Sequence, residues 1–326
     1  MDKAEIYERV RAAVRVRHWS WKTADAYAQS VVLFQSFLNG HRDLGLVAAE
    51  EKVRAWLEEM APRCSAKTQN LRLNAVVFWY RDCLGRPLGE LGSWSYAKVP
   101  QRLPVWLTQA EVGRLLVAVN ERVPQLMARL TYGAGLRLME CVRLRIQDVD
   151  VAAGTVFVRG GKGAKDRVTV LPVSLREELV DQMRRGRVLW EADAARGLPP
   201  VALPDTLAAK YPNAGREWSW FWLWPARSLS RDPESGVVRR HHVHEDTLQK
   251  AIKAAGVRAA LPKRVTTHVL RHSFATHQLE AGLDIYRLAE LLGHANIETT
   301  AIYLHCLPKA VVSAGSPLDR LGKMNG

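Results

Sequence analysis

Thr266-Thr267-His268-Val269-Leu270-Arg271-His272-Ser273-Phe274-Ala275-Thr276-His277 is the stretch around which the rest of the chain is ordered. In a helix, residues three or four apart return to one face. His268, Arg271 and His272 then share a side, while Val269, Leu270 and Phe274 anchor the opposite one. A guanidinium held beside an imidazole can grip an anion and move a proton. Twenty-odd residues on, Leu291-Leu292-Gly293-His294 and Thr299-Thr300-Ala301-Ile302-Tyr303 add another imidazole and a phenol.

Outward from this stretch, the whole chain is basic. Its 326 residues carry 47 Lys plus Arg against 33 Asp plus Glu, a net charge of +14. The excess is +4 in the first hundred residues and +10 in the remainder. Such a surface calls for a polyanion, with nucleic acid the first candidate. Cys64, Cys83, Cys141 and Cys306 are scattered without a Cys-x-x-Cys pair, which reads as reduced thiols in a cytoplasmic protein, neither a disulfide frame nor a zinc site. No signal peptide and no membrane-spanning apolar run is expected.

Upstream, residues 1–95 read as helices. Ile6, Val10 and Val14 lie one turn apart, and Ser20 caps a helix from Trp21 to Leu38 that Asn39-Gly40 stops. A third helix covers Val53 to Met60. Ser65 caps a fourth, with Leu71, Ala75, Phe78 and Trp79 turned inward and Lys67, Gln69, Asn70 and Arg72 on the outer side. The stretch from Gly85 to Pro104 is rich in Pro and Gly with little periodicity, and the linker is placed there, at 96–105 between the domains. A second domain, 106–326, opens on the capping-box pattern Thr108-x-x-Glu111. Alternation at Val156 and Val158, then Val168 and Val170, around Gly160-Gly161-Lys162-Gly163 predicts a β-hairpin presenting Lys162, with Lys165 and Arg167 nearby. A helix follows from Ser174 to about Glu191, then irregular chain over 197–216. Alternating Trp218, Trp220, Trp222 and Trp224 predict a strand with one aromatic face.

Together these residues fit one reaction. A phosphodiester concentrates charge on its non-bridging oxygens in the transition state, and arginine, planar and permanently charged, bonds two oxygens at once. Arg137 and Arg271 are the proposed pair. Attack by the Tyr303 oxygen expels a sugar hydroxyl that needs a proton, which Lys162 on its hairpin is suited to deliver; His268 exchanges the phenol's proton. Singly, each residue has a plainer reading. An arginine or lysine of a basic protein is usually solvated, a histidine structural, and a tyrosine part of the core. It is the combination that points to phosphoryl chemistry.

Gly135-Leu136-Arg137…Glu140, Gly161-Lys162-Gly163…Lys165…Arg167, His268-x-x-Arg271-His272 and Leu292-Gly293-His294…Thr299-Thr300…Tyr303 resemble the signature of the tyrosine recombinases, also called the phage integrase family. The resemblance covers residues 135–303 and fills six catalytic positions in order. It implies a mainly α fold: a helical, SAM-like DNA-binding domain, then a mostly helical catalytic domain with a small antiparallel sheet. It implies Tyr303 as nucleophile, Arg137, Arg271 and His294 on the phosphate, Lys162 as acid and His268 in proton transfer, with Glu140 and His272 supporting them. It also implies a tetramer on two DNA sites and no cofactor or metal. Lys67, Asn70, Arg72, Lys165 and Arg167 are candidate DNA contacts.

The extra residues around 197–216, with Arg239-Arg240-His241-His242-Val243-His244, look like the insertion of integron integrases. That group recombines a duplex attI site with attC, a folded single-stranded hairpin, to move gene cassettes. Bases outside a stack need aromatic or imidazole faces, which singles out Trp220, His241, His242 and Pro233. A buried strand face is the competing reading for the tryptophans. Two alternatives remain: a Xer-like or phage-type recombinase acting only on duplex sites, and an inactive DNA-binding relative. His241, His242 and His244 as zinc ligands, or Asp148 and Asp150 as a two-metal nuclease site, lack the rest of a ligand set.

Overall fold

The computed structural model describes residues 1–17, 19–89, 96–100, 103–160, 166–204, 207–232 and 235–307. The chain divides into two units, Met1–Arg102 and Leu103–Gly326.

The first unit is helical. α1 (Lys3–Val16) starts where the Asp2 carboxylate accepts the Glu5 N–H, and α2 (Trp21–Gly40) where the Ser20 hydroxyl accepts that of Thr23. α3 (Ala49–Met60) and α4 (Ala66–Phe78) follow, α4 capped by Ser65 and running into a π-helical turn at Trp79–Cys83. Ile6, Val10 and Val14 of α1 pack against Ala24, Ala28 and Val31 of α2 and Phe78 of α4; a second cluster joins Phe34 to Trp56, Leu57 and Leu73. Each large side chain so buried contributes on the order of 1.5–3 kcal/mol.

The α4 face departs from the sequence reading. Leu71 is 42% exposed and Gln69 is buried, because α4 packs toward α2 along the stripe of Leu73, Val76 and Phe78. The segment after it is tied down: the Asn70 amide donates to the Ala97 carbonyl and accepts the Ala97 N–H, each at 2.9 Å.

The second unit begins with α5 (Gln109–Val117), whose Thr108–Glu111 capping box is present, then α6 (Arg122–Gly133) and the short α7 (Leu138–Val142). A three-stranded antiparallel sheet follows in the order β1 (Val149–Asp150), β2 (Thr155–Val158), β3 (Arg167–Val170). Val156 faces Thr169 across it. Val156 and Val158 are buried as their alternation predicts, but on β3 the buried residue is Thr169, while Val168 and Val170 are exposed. Thr169 can go inside because its hydroxyl donates to the Ala134 carbonyl. The hairpin turn, with Lys162 and Lys165, lies outside the described residues.

α8 (Arg176–Ala195) is entered through a 3-10 turn at Val173–Leu175, two residues later than Ser174 suggested. α9 (Leu207–Lys210) lies in the insertion. The Trp-rich stretch is not a strand with one aromatic face. Trp218–Trp220 form a 3-10 turn, and Phe221, Trp222, Leu223 and Trp224 are all buried. The two-residue alternation fails because this segment is enclosed on both sides, and its backbone pairs through isolated bridges from Trp222 to Arg145 and from Pro225 to His242 where a continuous ladder was expected. The Trp224 indole N–H donates to the Cys141 carbonyl at 2.9 Å, so the ring is buried at no hydrogen-bonding cost.

β4 (Ser230–Arg231) and β5 (Val238–Arg239) form a second small antiparallel pair. α10 (Glu245–Arg258) and α11 (Thr267–Glu280) pack on α6, and α12 (Ile285–Leu292) and the short α13 (Glu298–Ala301) close the unit. The described residues are thus mainly helical with small antiparallel sheets. No described helix is long and apolar enough to cross a membrane.

Candidate active site

α11 carries three of the singled-out side chains because its other residues are buried almost all round. Thr266 caps it by accepting the Val269 N–H. Ser273 is fully buried, its hydroxyl accepting the Leu107 N–H while donating to the Val269 carbonyl. A helix held this firmly fixes the direction of Arg271. That guanidinium is buried and donates to the Gly135 and Leu292 carbonyls, both at 2.6 Å. Gly135 is left-handed (φ +64°), and a Cβ there would lie 2.5 Å from the Phe274 ring. Only glycine lets the carbonyl come this close.

Arg137 stands at the mouth of α7, one turn before Glu140. Its backbone N–H and guanidinium both donate to the Glu140 carboxylate, at 2.8 and 2.7 Å. Arg167 grips the same carboxylate with two parallel bonds, 2.8 and 2.6 Å, and a third nitrogen donates to the Leu291 carbonyl. Arg271 lies 3.6 Å from it. Burial pushes the Glu140 carboxyl up, yet the Arg167 and Arg137 bonds more than offset this and hold it at about 2. Three guanidiniums against one carboxylate leave the cluster cationic. Its own burial and the neighbouring Arg137 pull Arg271 down to about 9, still charged at neutral pH.

His294 reaches this cluster through Gly293, the left-handed end of α12 (φ +63°). Its Nε2 faces Arg271 Nη2 at 3.1 Å and its Nδ1 faces the Thr300 hydroxyl at 2.9 Å. Burial and then Arg271, Arg137 and Arg167 press its pKa down to about 4, so the ring is neutral. His272 is likewise held at about 4, by burial, His268 and Arg271. His268 is lowered by burial, Arg271 and Arg137. Tyr303 is 2% exposed. Burial raises its phenol, while Arg271 and Arg137 pull the other way, and its hydroxyl lies 2.9 Å from His272 Nδ1.

The structure therefore gathers Arg137, Glu140, His268, Arg271, His272, His294 and Tyr303 around one cationic centre. Two assignments change. Arg167 is not a free cation at the hairpin: its side chain is 7% exposed and bound to Glu140, because β3 packs against α12. The contact to the Tyr303 hydroxyl is made by His272, the imidazole one turn beyond His268. In the first unit Lys67 is exposed, Asn70 is occupied with Ala97, and an Arg72 nitrogen lies 3.4 Å from the Met60 sulfur.

Beside Arg137 opens a cavity of about 560 Å³. Its walls include Arg143, Arg159, Leu203, Trp222, His241 and His242. His242 donates from Nδ1 to the Val243 carbonyl, its neutral ring edge-on to Trp222 with centroids 5.0 Å apart. His241 Nε2 is buried without a hydrogen-bond partner, 3.8 Å from the Asp232 carboxylate. Trp220 does not line the cavity; its ring lies under the Arg145 and Arg159 guanidiniums, 5.2 and 5.7 Å away. Pro233 lies outside the described residues. Among the described residues no three His, Cys, Asp or Glu side chains converge as metal ligands.

Arg145, missed in the sequence, holds the cavity's frame. It donates to the Trp220 and Ala202 carbonyls at 2.6 and 2.7 Å and stacks 3.9 Å above Trp222. Its only local signal was Asp148, whose carboxylate accepts the Arg145 backbone N–H. Thr300 was also missed as a partner of His294, although it stands in the motif.

Comparison with known proteins finds matches across the chain. Residues 105–309 match the phage integrase family and residues 6–90 the N-terminal SAM-like domain of phage integrases. The chain is 41% identical over 323 residues to an integrase/recombinase of Escherichia coli, covering 98% of this chain and 95% of that protein. It is 36% identical over 213 residues to the tyrosine recombinase XerA of Thermococcus kodakarensis, covering 63% and 60%. Among solved structures, it resembles the XerH recombinase bound to its difH substrate before cleavage (TM-score 0.63, 18% identity, 95% and 84% covered). It also resembles a lambda integrase dimer on a COC′ core site (TM-score 0.60, 15% identity, 92% and 94% covered). These two likenesses show a shared fold.

Proposed function

The chain belongs to the phage integrase family of tyrosine recombinases, enzymes that cut and rejoin DNA, and on that premise we propose that it is an integron-type recombinase. It exchanges gene cassettes between duplex attI-like sites and folded single-stranded attC-like hairpins, acting in the cytoplasm as a tetramer on DNA.

In the proposed reaction Arg137, Arg271 and His294 hold the non-bridging oxygens of the scissile phosphate. The Tyr303 oxygen forms a bond to phosphorus as the bond to the 5′ oxygen breaks, giving a 3′-phosphotyrosine. Lys162 supplies the proton the leaving hydroxyl needs, and the His268–His272 pair exchanges the phenol's proton. Because the broken bond is kept as a phosphoester, a new hydroxyl reseals the strand without ATP. Fixed cations already stand where charge develops, so the scheme calls for no metal.

The observation that carries the subfamily reading is the cavity beside Arg137. The insertion supplies Leu203 and Pro204 to its wall, and His241, His242 and Trp222 add imidazole and indole faces. Its position next to a phosphate-binding arginine suits a base that leaves the stack near the cut, with His241 and His242 as candidate contacts and Trp220 behind the wall, under Arg145 and Arg159. The duplex-only alternative draws on the 36% identity to XerA. Competition decides between them. A folded attC oligonucleotide outcompetes its fully duplex form in binding and in covalent adduct formation; if the duplex wins, the integron reading fails.

A further inference from the structure

Tyr303 and His294 are linked by one residue, whose carbonyl accepts the Tyr303 N–H and whose side chain meets the His294 ring. Thr300 is fully buried on α13, one turn before Tyr303, with its hydroxyl 2.9 Å from His294 Nδ1. On the other side of the ring, Arg271 Nη2 lies 3.1 Å from Nε2. Arginine has hydrogens to give and no lone pair. A neutral imidazole opposite it therefore presents a lone pair at Nε2 and carries its hydrogen at Nδ1, donated to Thr300.

That tautomer is wrong for a phosphate. Once an anionic oxygen enters and takes up the Arg271 hydrogens, a lone pair at Nε2 repels it. The ring must offer Nε2–H instead. We propose that Thr300 is the positioning residue that permits this change, its hydroxyl accepting from Nδ1 in the empty site and donating to Nδ1 when phosphate is bound. The ring releases the Nδ1 proton to water and takes one from water at Nε2, with no net gain or loss, while the hydroxyl hydrogen rotates toward Nδ1. A hydroxyl can do both because it is donor and acceptor. The proposal rests on the reading of His294 as a phosphate ligand.

Among the described residues, the charged groups facing His294 are Arg271 from α11, Arg137 and Glu140 from the start of α7, and Arg167 from β3. With three cations to one anion there, the empty site resists a protonated ring, which makes the neutral tautomer change the easier route near neutral pH. At lower pH a bound phosphate favours imidazolium, which has N–H at both nitrogens and so no longer needs a hydroxyl donor opposite Nδ1.

The test is single-turnover adduct formation on a nicked duplex suicide substrate between pH 5.5 and 8.5. Thr300→Ser stays within about threefold of wild type. Thr300→Val, of the same shape but unable to donate, falls by about 10² at pH 7.5, as when one transition-state donor is lost, and recovers toward pH 6. Valine within twofold of wild type throughout, or a valine defect equal at every pH, overturns the proposal. Histidine 15N spectra of the wild-type chain supply a reading that does not depend on a variant folding. His294 is Nδ1–H without DNA, and Nε2–H at that stage overturns the idea. On the nicked duplex with Tyr303→Phe it becomes Nε2–H, and persistence of Nδ1–H overturns it equally. An adduct surviving Tyr303→Phe instead sinks the catalytic reading, leaving the DNA-free tautomer to judge Thr300 alone.

Discussion

The Tyr303 hydroxyl and His272 Nδ1 are 2.9 Å apart inside the protein, with the phenol 2% exposed. With His272 held at about 4, its ring is neutral at physiological pH. Phenol and neutral imidazole each have a hydrogen to give and a lone pair to accept one, so the contact is a hydrogen bond whose direction the ring's tautomer sets. The nucleophile proposed for this chain thus rests protonated and anchored by an imidazole.

This pairing should appear as a coupling. His272→Leu leaves a buried hydroxyl without its hydrogen-bond partner, at a cost on the order of 1–3 kcal/mol, whereas His272→Asn can restore a partner near the Nδ1 position. In the Tyr303→Phe background the same His272→Leu change has no hydroxyl to strand. A double-mutant cycle by urea unfolding is expected to give a coupling of about 1 kcal/mol. Strictly additive effects contradict the hydrogen bond. Tyr303→Phe itself keeps DNA binding and forms no covalent adduct.

Glu140 pairs with Arg137 and Arg167 at once. Glu140→Gln removes one partner of a buried network and is expected to destabilise the catalytic unit by about 3–5 kcal/mol while abolishing the adduct. The acid limb offers a second check. A carboxyl held at about 2 when folded, against 4.5 when unfolded, gives stability that is fully present above pH 4.5 and fades as pH falls toward 2. The glutamine variant loses that portion of the slope. If both proteins lose stability in parallel below pH 4.5, the ion pairs do not hold Glu140 as described.

Arg145 joins the Trp220 and Ala202 carbonyls, one from the Trp-rich stretch and one from the edge of the insertion. Arg145→Lys keeps the charge but cannot span both acceptors with a planar fork. The cavity wall loosens while the guanidiniums around Glu140 stay in place. Adduct formation on duplex sites is expected to remain within about threefold, and preference for the folded hairpin to fall by about tenfold, the ~1.4 kcal/mol scale of one net hydrogen bond. Equal losses on both substrates refute a selective role for the cavity.

Much of this molecule was legible because the signals are local. Ile6, Val10 and Val14, the Ser20 and Ser65 caps and the Thr108–Glu111 box each act within a few residues, and each helix they imply is present. Leu71 and the Trp218–Trp224 alternation misled for one shared reason. A spacing says which residues share a side but not which sides another element covers, and Phe221 to Trp224 are covered all round.

The sequence by itself determined the helices, the hairpin and the set of cations, imidazoles and phenol, since propensity, capping and residue chemistry reside in neighbouring positions. Only the tertiary structure decided their partners: Arg167 to Glu140, Arg271 to a carbonyl 136 positions away, Thr300 to His294, and His272 to Tyr303. Those choices follow from how β3, α7, α11 and α12 pack, and hydrogen bonds across such separations leave no periodicity in the chain to read.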